Sequence, residues 1–305
     1  MRSLELAVKY LAGDRLIGTA AERVALTTGG LGSAVDGTNH GADTGQTGKI
    51  GSYAWNFSGN DGNNSGAHDY VEANALAGNT AAGATVRSMS VWVKQNNNSN
   101  QNNDGWILTW GDNDTSSGGN DFFVIMDDWG YLNVRIRDGT TNTYFFEGRS
   151  SGQVFLDYDW HHIVVTMGTE VKFYLDGTNI PSSGWGNTND LTAWIHTDME
   201  TFTIGSSGGA EVFEKSFDGL IDQLLIYSDE LTQSEVTALW NSGSGDTTPD
   251  GDNLIAHYNF EQTSSTLENI SVAIHPNLPN GAIFEESDTG KHYMFDGTSA
   301  WNEVT

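Results

Sequence analysis

Cysteine is absent from the 305 residues, which excludes disulfides and thiolate chemistry. Proline is scarce, 4 residues against 37 glycines, so turns must be built from Gly, Asn and Asp. Basic residues are few. Lys and Arg total 13 against 40 Asp and Glu, a formal net charge of −27. That balance opposes nucleic acid and anionic membrane surfaces as partners and suits solubility in salty water. No apolar run approaches the length of a membrane span. The opening segment, Met1 to Tyr10, lacks the uninterrupted apolar stretch of a secretory signal. What remains is a length suited to one large all-β domain with small appendages.

Strand periodicity runs through the chain. Val171, Phe173 and Leu175 alternate with Lys172 and Tyr174, and Asp176-Gly177 then supplies the positive φ that a tight hairpin requires. Ile163 and Val165 share a face. Met89, Val91 and Val93 point one way, and Ser90, Trp92 and Lys94 the other. Leu132, Val134 and Ile136 alternate with Asn133, Arg135 and Arg137, which predicts one wet face, and Asp138-Gly139 follows as a second hairpin signal. Trp106–Trp110 and Phe122–Met126 read as further strands. A single helix is predicted late: Thr232 and Glu235 have capping-box spacing, Val236, Leu239 and Trp240 form an apolar stripe, and Gly243 is placed to close it.

Several segments form one signature: Trp160-His-His-Ile-Val-Val-Thr166, Val171–Gly177, Phe202-Thr-Ile-Gly205, Phe217–Tyr227 and Leu231–Asn241. With Ala54–Gly59, Asp69-Tyr-Val71 and Ser88–Lys94, they resemble a laminin-G-like, concanavalin-A-like jelly roll over roughly residues 50–243. The resemblance implies an all-β fold, a two-sheet antiparallel sandwich with one short helix. It specifies no ligand, because one fold hosts many functions.

The ends differ in character. Gly18–Leu26 and the tail Asn277–Val304, with short strands around Asp288-Thr-Gly290 and a turn at Asp296-Gly297, resemble elements of tailed-phage virion proteins. The expected organisation is an N-terminal docking segment over 1–30, the jelly roll over 31–243, a Gly/Ser/Asp linker over 244–252 and a C-terminal β module over 253–305. That last module is expected to pack with residues 1–30. Asn253–Glu261 also resembles the opening strand of a laminin-G-like repeat.

Candidate sites follow from chemistry. Sugars stack their C–H faces on aromatic rings and need polar partners nearby. Trp185 in Ser-Ser-Gly-Trp-Gly-Asn, with Asn187, and Trp129 in Asp-Asp-Trp-Gly-Tyr are loop-borne candidates, while Trp55, Trp92, Trp160 and Trp240 fall at fold positions. Calcium is the candidate cofactor, because hard cations take clustered oxygens. The candidate ligands are Asp112, Asp114, Asp121, Asp127 and Asp128 in neighbouring loops, and Asp218 and Asp222 around a strand start. The competing reading of these residues is turn formation. For catalysis, the Glu-x-Asp-x-x-Glu pattern of glucanases is absent. The nearest string, Glu286-Ser-Asp288, has Lys291 in place of the second Glu, and His161 and His162 come without a nucleophile elbow.

These features lead to one expectation: a non-enzymatic virion structural protein of a tailed virus. A capsid decoration protein, head fibre or tail-fibre component would display a lectin-like domain outward for weak glycan adhesion. Its partners would be capsid or tail proteins, cell-surface glycans and further copies of itself. The alternative is a secreted, extracellular prokaryotic adhesin or carbohydrate-binding module; a glycanase comes third.

Overall fold

The computed structural model describes residues 9–11, 15–18, 36–58, 69–73, 86–96, 105–111, 122–138, 143–155, 157–184, 201–206, 216–247, 249, 254–269, 283–295 and 301–304. Two compact units emerge. One comprises residues 34–249 with 253–270, and the other residues 1–33, 250–252 and 271–305.

The larger unit is a sandwich of a nine-stranded and an eight-stranded sheet. The nine-stranded sheet contains β3 (Gly37–His40), β6 (Tyr70–Glu72), β8 (Gly105–Gly111), β9 (Phe122–Asp128), β10 (Tyr131–Asp138), β11 (Thr143–Ser150), β15 (Ser182–Gly184), β16 (Thr201–Ile204) and β19 (Thr266–Leu267). Its order is β15-β11-β10-β9-β8-β16-β6-β3-β19. The other sheet contains β4 (Asp43–Thr47), β5 (Tyr53–Phe57), β7 (Ser88–Gln95), β12 (His161–Met167), β13 (Val171–Leu175), β14 (Thr178–Ile180), β17 (Gly219–Tyr227) and β18 (Leu254–Tyr258). Its order is β14-β13-β12-β7-β17-β5-β4, with β18 on β17.

Alternation sets the layers. From β7, β12 and β17, the side chains of Met89, Val91, Val93, Ile163, Val165, Ile221, Leu224 and Ile226 enter the core between the sheets. Val164, Leu225 and Tyr227 face the other way and meet Val236 and Leu239 of the helix α1 (Gln233–Trp240). Both faces of the eight-stranded sheet are therefore covered at its centre, and every residue of β12 is buried. Helix α1 begins with the capping box: Thr232 accepts the Glu235 amide, and the Glu235 carboxylate accepts the Thr232 amide. It ends at Asn241 in the left-handed conformation, φ 47°, two residues before the glycine expected to close it. Asn is among the few residues besides Gly that take this conformation, so the helix can stop at Asn241.

The boundary expected at 244–252 is corrected. Residues 254–258 pair with β17, with Leu224 opposite Tyr258 and Ile226 opposite Ala256, and residues 266–267 pair with β3. Leu254, Ala256, Tyr258, Phe260 and Leu267 are fully buried there. The sandwich consequently runs to about residue 270, and a separate module over the whole of 253–305 is not what forms. The wet face expected on β10 is also only partial, because Asn133 is buried.

The smaller unit holds a five-stranded sheet of β1 (Lys9–Leu11), β2 (Arg15–Gly18), β20 (Ile283–Glu286), β21 (His292–Phe295) and β22 (Trp301–Val304). Strand β2 lies parallel to β20, Arg15 opposite Ile283 through Gly18 opposite Glu286. Both ends of the chain thus contribute to one sheet. Residues 19–26, which with Gly18 carry part of the phage-like resemblance, lie outside the described residues.

Candidate functional site: the Trp129 turn

Strands β9 and β10 pair with Asp128 opposite Tyr131, so Trp129 and Gly130 alone form the connection. Both have positive φ, 57° and 81°. That is the signature of a type I′ hairpin turn, whose twist matches the flanking strands. Glycine is at ease there and tryptophan is not, since an L side chain in the left-handed region costs about 1–2 kcal/mol. Trp129 is nevertheless 56% exposed, the most exposed large apolar side chain among the described residues.

The turn is anchored from below. Gln153 Nε2 donates to the Trp129 carbonyl at 2.8 Å, and the amides of Val154 and Phe155 donate to the Gly130 carbonyl at 2.6 and 3.2 Å. Ser150 Oγ accepts the Leu132 amide and donates to the Gly152 carbonyl. The ring therefore stands on a backbone fixed by the 150–155 segment. Beside it, the Arg149 guanidinium lies 4.5 Å from the Tyr131 ring centroid. Further along the same strands Arg135 bonds Glu147 at 2.9 Å. Residues 131, 133 and 135 of β10 and 147 and 149 of β11 share this face.

A fixed, exposed indole with an amide side chain and a carbonyl-rich turn beside it can stack on a sugar ring and hydrogen-bond its hydroxyls. The model of the concanavalin A-like lectin/glucanases superfamily matches residues 64–237, more than half of the chain. The chain belongs to this superfamily. No curated protein matches it. Similar solved structures include the CBM40 of a Ruminococcus gnavus IT-sialidase, 12% identical, covering 61% of this chain and 95% of that one with a TM-score of 0.45. A native heptameric SAP-like pentraxin from Limulus polyphemus is 15% identical, covering 61% and 80%, with a TM-score of 0.40. A putative carbohydrate binding protein from Bacteroides ovatus is 14% identical, covering 73% and 54%, with a TM-score of 0.38.

Trp185, Asn187, Asp112, Asp114 and Asp121 lie outside the described residues. Asp127 and Asp128 close β9 at the Trp129 turn. Asp218 and Asp222, expected as a cation pair, are engaged elsewhere. Asp218 Oδ1 accepts from Asn96 Nδ2 at 2.8 Å. Asp222 is wholly buried, and its Oδ2 accepts the amides of Lys49 and Ile50, each at 2.8 Å. Among the described residues no three His, Asp or Glu side chains converge as a metal site. Asp222 Oδ2 is taken by two backbone amides, and Asp222 belongs to no cluster of three such side chains among the described residues.

His161 and His162 are both held in place by neighbouring side chains. His161 lies between Asp176 and Asp157, its Nδ1 and Nε2 each 2.9 Å from a carboxylate oxygen. Burial works against its charge, but the hydrogen bonds to Asp176 and Asp157 prevail and raise its pKa to about 9. His162 stacks on Trp92 and shares a hydrogen bond with Ser90 Oγ at 2.8 Å; burial pushes it down to about 4. Glu286 is buried and accepts the Thr289 hydroxyl, whereas Asp288 is exposed, so the tail string presents no carboxylate pair.

Tyr131, Arg149 and Gln153 were not among the candidates. The signal available for them was the two-residue span Trp129-Gly130 between Asp128 and Tyr131, which identifies a turn tip; the supporting segment comes from β11 and its exit, which sequence spacing does not connect to it.

Proposed function

We propose that the chain is a non-enzymatic lectin-like adhesion protein that binds neutral glycans on the Trp129 turn and is displayed on the surface of a viral particle. The exposed Trp129 ring, held at positive φ by hydrogen bonds from the 153–155 segment, carries the adhesion reading. Strain kept at an exposed aromatic suggests that the ring is there to be used. The ligand is neutral because a net charge of −27 repels anions, and among the described side chains of this face Arg135 is engaged by Glu147 and Arg149 by Tyr131.

The display reading rests on the ends of the chain, which resemble tailed-phage segments and share a sheet through β2 and β20. Multiple copies on a particle would compensate for weak single sites. A secreted adhesin would use the same turn. Co-sedimentation of the chain with intact particles through a density gradient separates the two: recovery only as free protein in culture supernatant overturns display.

The binding test uses Trp129→Asn, which keeps a residue tolerant of the left-handed turn. Glycan-array binding of the variant is expected to fall about tenfold or more, since a ring stack contributes on the order of 1.4 kcal/mol. Its stability is expected to rise by about 0.5–1 kcal/mol as backbone strain is relieved. Unchanged binding to every neutral glycan that the parent binds would remove Trp129 as the platform.

A further inference from the structure

Below the Trp129 turn, β10 and β11 carry a strip of polar side chains on the outer face of the nine-stranded sheet. Leu132, Val134 and Ile136 of β10 enter the core, so Tyr131, Asn133 and Arg135 point the other way. Register sets Arg149 directly opposite Asn133 and Glu147 directly opposite Arg135. Pairing slips between Ile136 and Arg137, so the regular strip ends just past Arg135.

The Arg135–Glu147 pair has more capacity than its fold role uses. A surface ion pair contributes little net stability. This one is drawn partly out of water, its side chains 22% and 21% exposed. Its hydrogen bond runs from Arg135 Nε to Glu147 Oε1 at 2.9 Å. That uses one of five guanidinium N–H groups and one carboxylate oxygen. The Nη groups and Oε2 are left as donors and an acceptor side by side, the complement of two neighbouring hydroxyls. Each partner cancels the charge of the other, so the pair suits an uncharged ligand. Asn133 is buried and offers a ligand nothing. The strip therefore has two separate contact points: Trp129 with Tyr131 at the tip, and Arg135 with Glu147 below. At a strand rise of about 3.3 Å per residue, the four residues from Tyr131 to Arg135 span on the order of 13 Å. No single sugar ring bridges that distance.

We propose that Arg135 and Glu147 form a second subsite of the Trp129 site, and that the ligand is an uncharged oligosaccharide laid along β10 and β11. One sugar unit stacks on Trp129, and another gives two neighbouring hydroxyls to Arg135 and Glu147. This rests on Trp129 as the platform and adds a length requirement to it. A monosaccharide uses the ring alone. A glycan that reaches the pair makes its second contact within the complex already formed, which raises affinity without a second association step.

NMR titration of the full chain with neutral gluco-, galacto- and manno-oligosaccharides, from monosaccharide to hexasaccharide, tests this. In a series that binds, affinity is expected to rise about tenfold or more between the monosaccharide and the members that span both points, and then to level off. The paired variant Arg135→Leu with Glu147→Leu removes both charges together and leaves no lone ion in a half-buried place, so the fold is expected to hold. It should bind the long members only about as tightly as the parent binds the monosaccharide, whereas Trp129→Asn should weaken every member. Equal affinity for all lengths in the parent overturns the second subsite and leaves the Trp129 platform standing. A length gain that persists in the paired variant does the same. Should that variant fail to fold, Glu147→Gln faces the same comparison, and full retention of the length gain overturns the subsite. A parent that binds no member of any series removes both readings.

Discussion

His161 shows how much a single side chain can tie together. Its two ring nitrogens face Asp157 and Asp176, and Asp176 also accepts the His162 amide through its other oxygen, at 2.9 Å. Both ring nitrogens must donate for both bonds to exist, so the ring is an imidazolium. Its folded pKa of about 9 lies above the ordinary value of 6.5. The stabilisation is therefore complete below about pH 6.5 and is lost as pH rises toward 9. Asp157 is more than half exposed, which screens its share. An overall contribution of about 2 kcal/mol is expected. Denaturant melts at pH 6 and pH 9.5 should show that loss in the parent, and His161→Gln should be flat over the same interval. An equal loss in His161→Gln would place the alkaline sensitivity elsewhere.

The β13–β14 hairpin and helix α1 act as one piece. Asp176 and Gly177, φ 49° and 76°, form the two-residue turn that Leu175 opposite Thr178 defines. The Gly177 carbonyl accepts from Gln233 Nε2 at 2.7 Å and from Thr237 Oγ1 at 3.4 Å, and the Trp240 ring lies against the glycine. A Cβ at position 177 would fall 2.8 Å from Trp240 Cε3. Gly177→Ala combines left-handed strain with overpacking, so a loss of about 2–4 kcal/mol is expected, measured by denaturant titration. A loss under about 0.5 kcal/mol would mean that the helix shifts freely. The turn, the capping box and the strands on either side were legible in the sequence, because each is a local pattern of alternation, turn residues or caps. The role of 254–269 was not. Its strand is as regular as any other, but its partners are β17 and β3, and strand pairing across such distances leaves no local mark; a Gly/Ser/Asp run just before it reads as a boundary. At the candidate site the exposed Trp129 was legible from its polar neighbours, while the amide partners of Asp222 lie over 170 residues away and leave no local mark.

At the scale of the whole molecule, buried titrating groups of opposite effect set the acid limit of the fold. His162 and His257 are pushed to about 4 from 6.5, so the unfolded chain takes up their protons first, and stability falls as pH drops from about 6.5 to 4. Asp222, raised to about 7 from 3.8, acts in the other direction: the folded chain holds its proton, and stability falls as pH rises from about 4 to 7. Among the described residues two such groups oppose one, so together these three contribute a net slope between about pH 4.5 and 6 of at most about 1.4 kcal/mol gained per pH unit. Removing Asp222 as a titrating group takes away the opposing part. Asp222→Asn is thus expected to be more acid-sensitive than the parent, with a slope approaching about 2.7 kcal/mol per pH unit, even though it eliminates a buried carboxylate. Guanidinium titrations at half-unit steps across this interval give both slopes directly. A variant slope equal to or shallower than the parent's would show that Asp222 is already ionised in the folded state at pH 5, and the burial argument for it would fail.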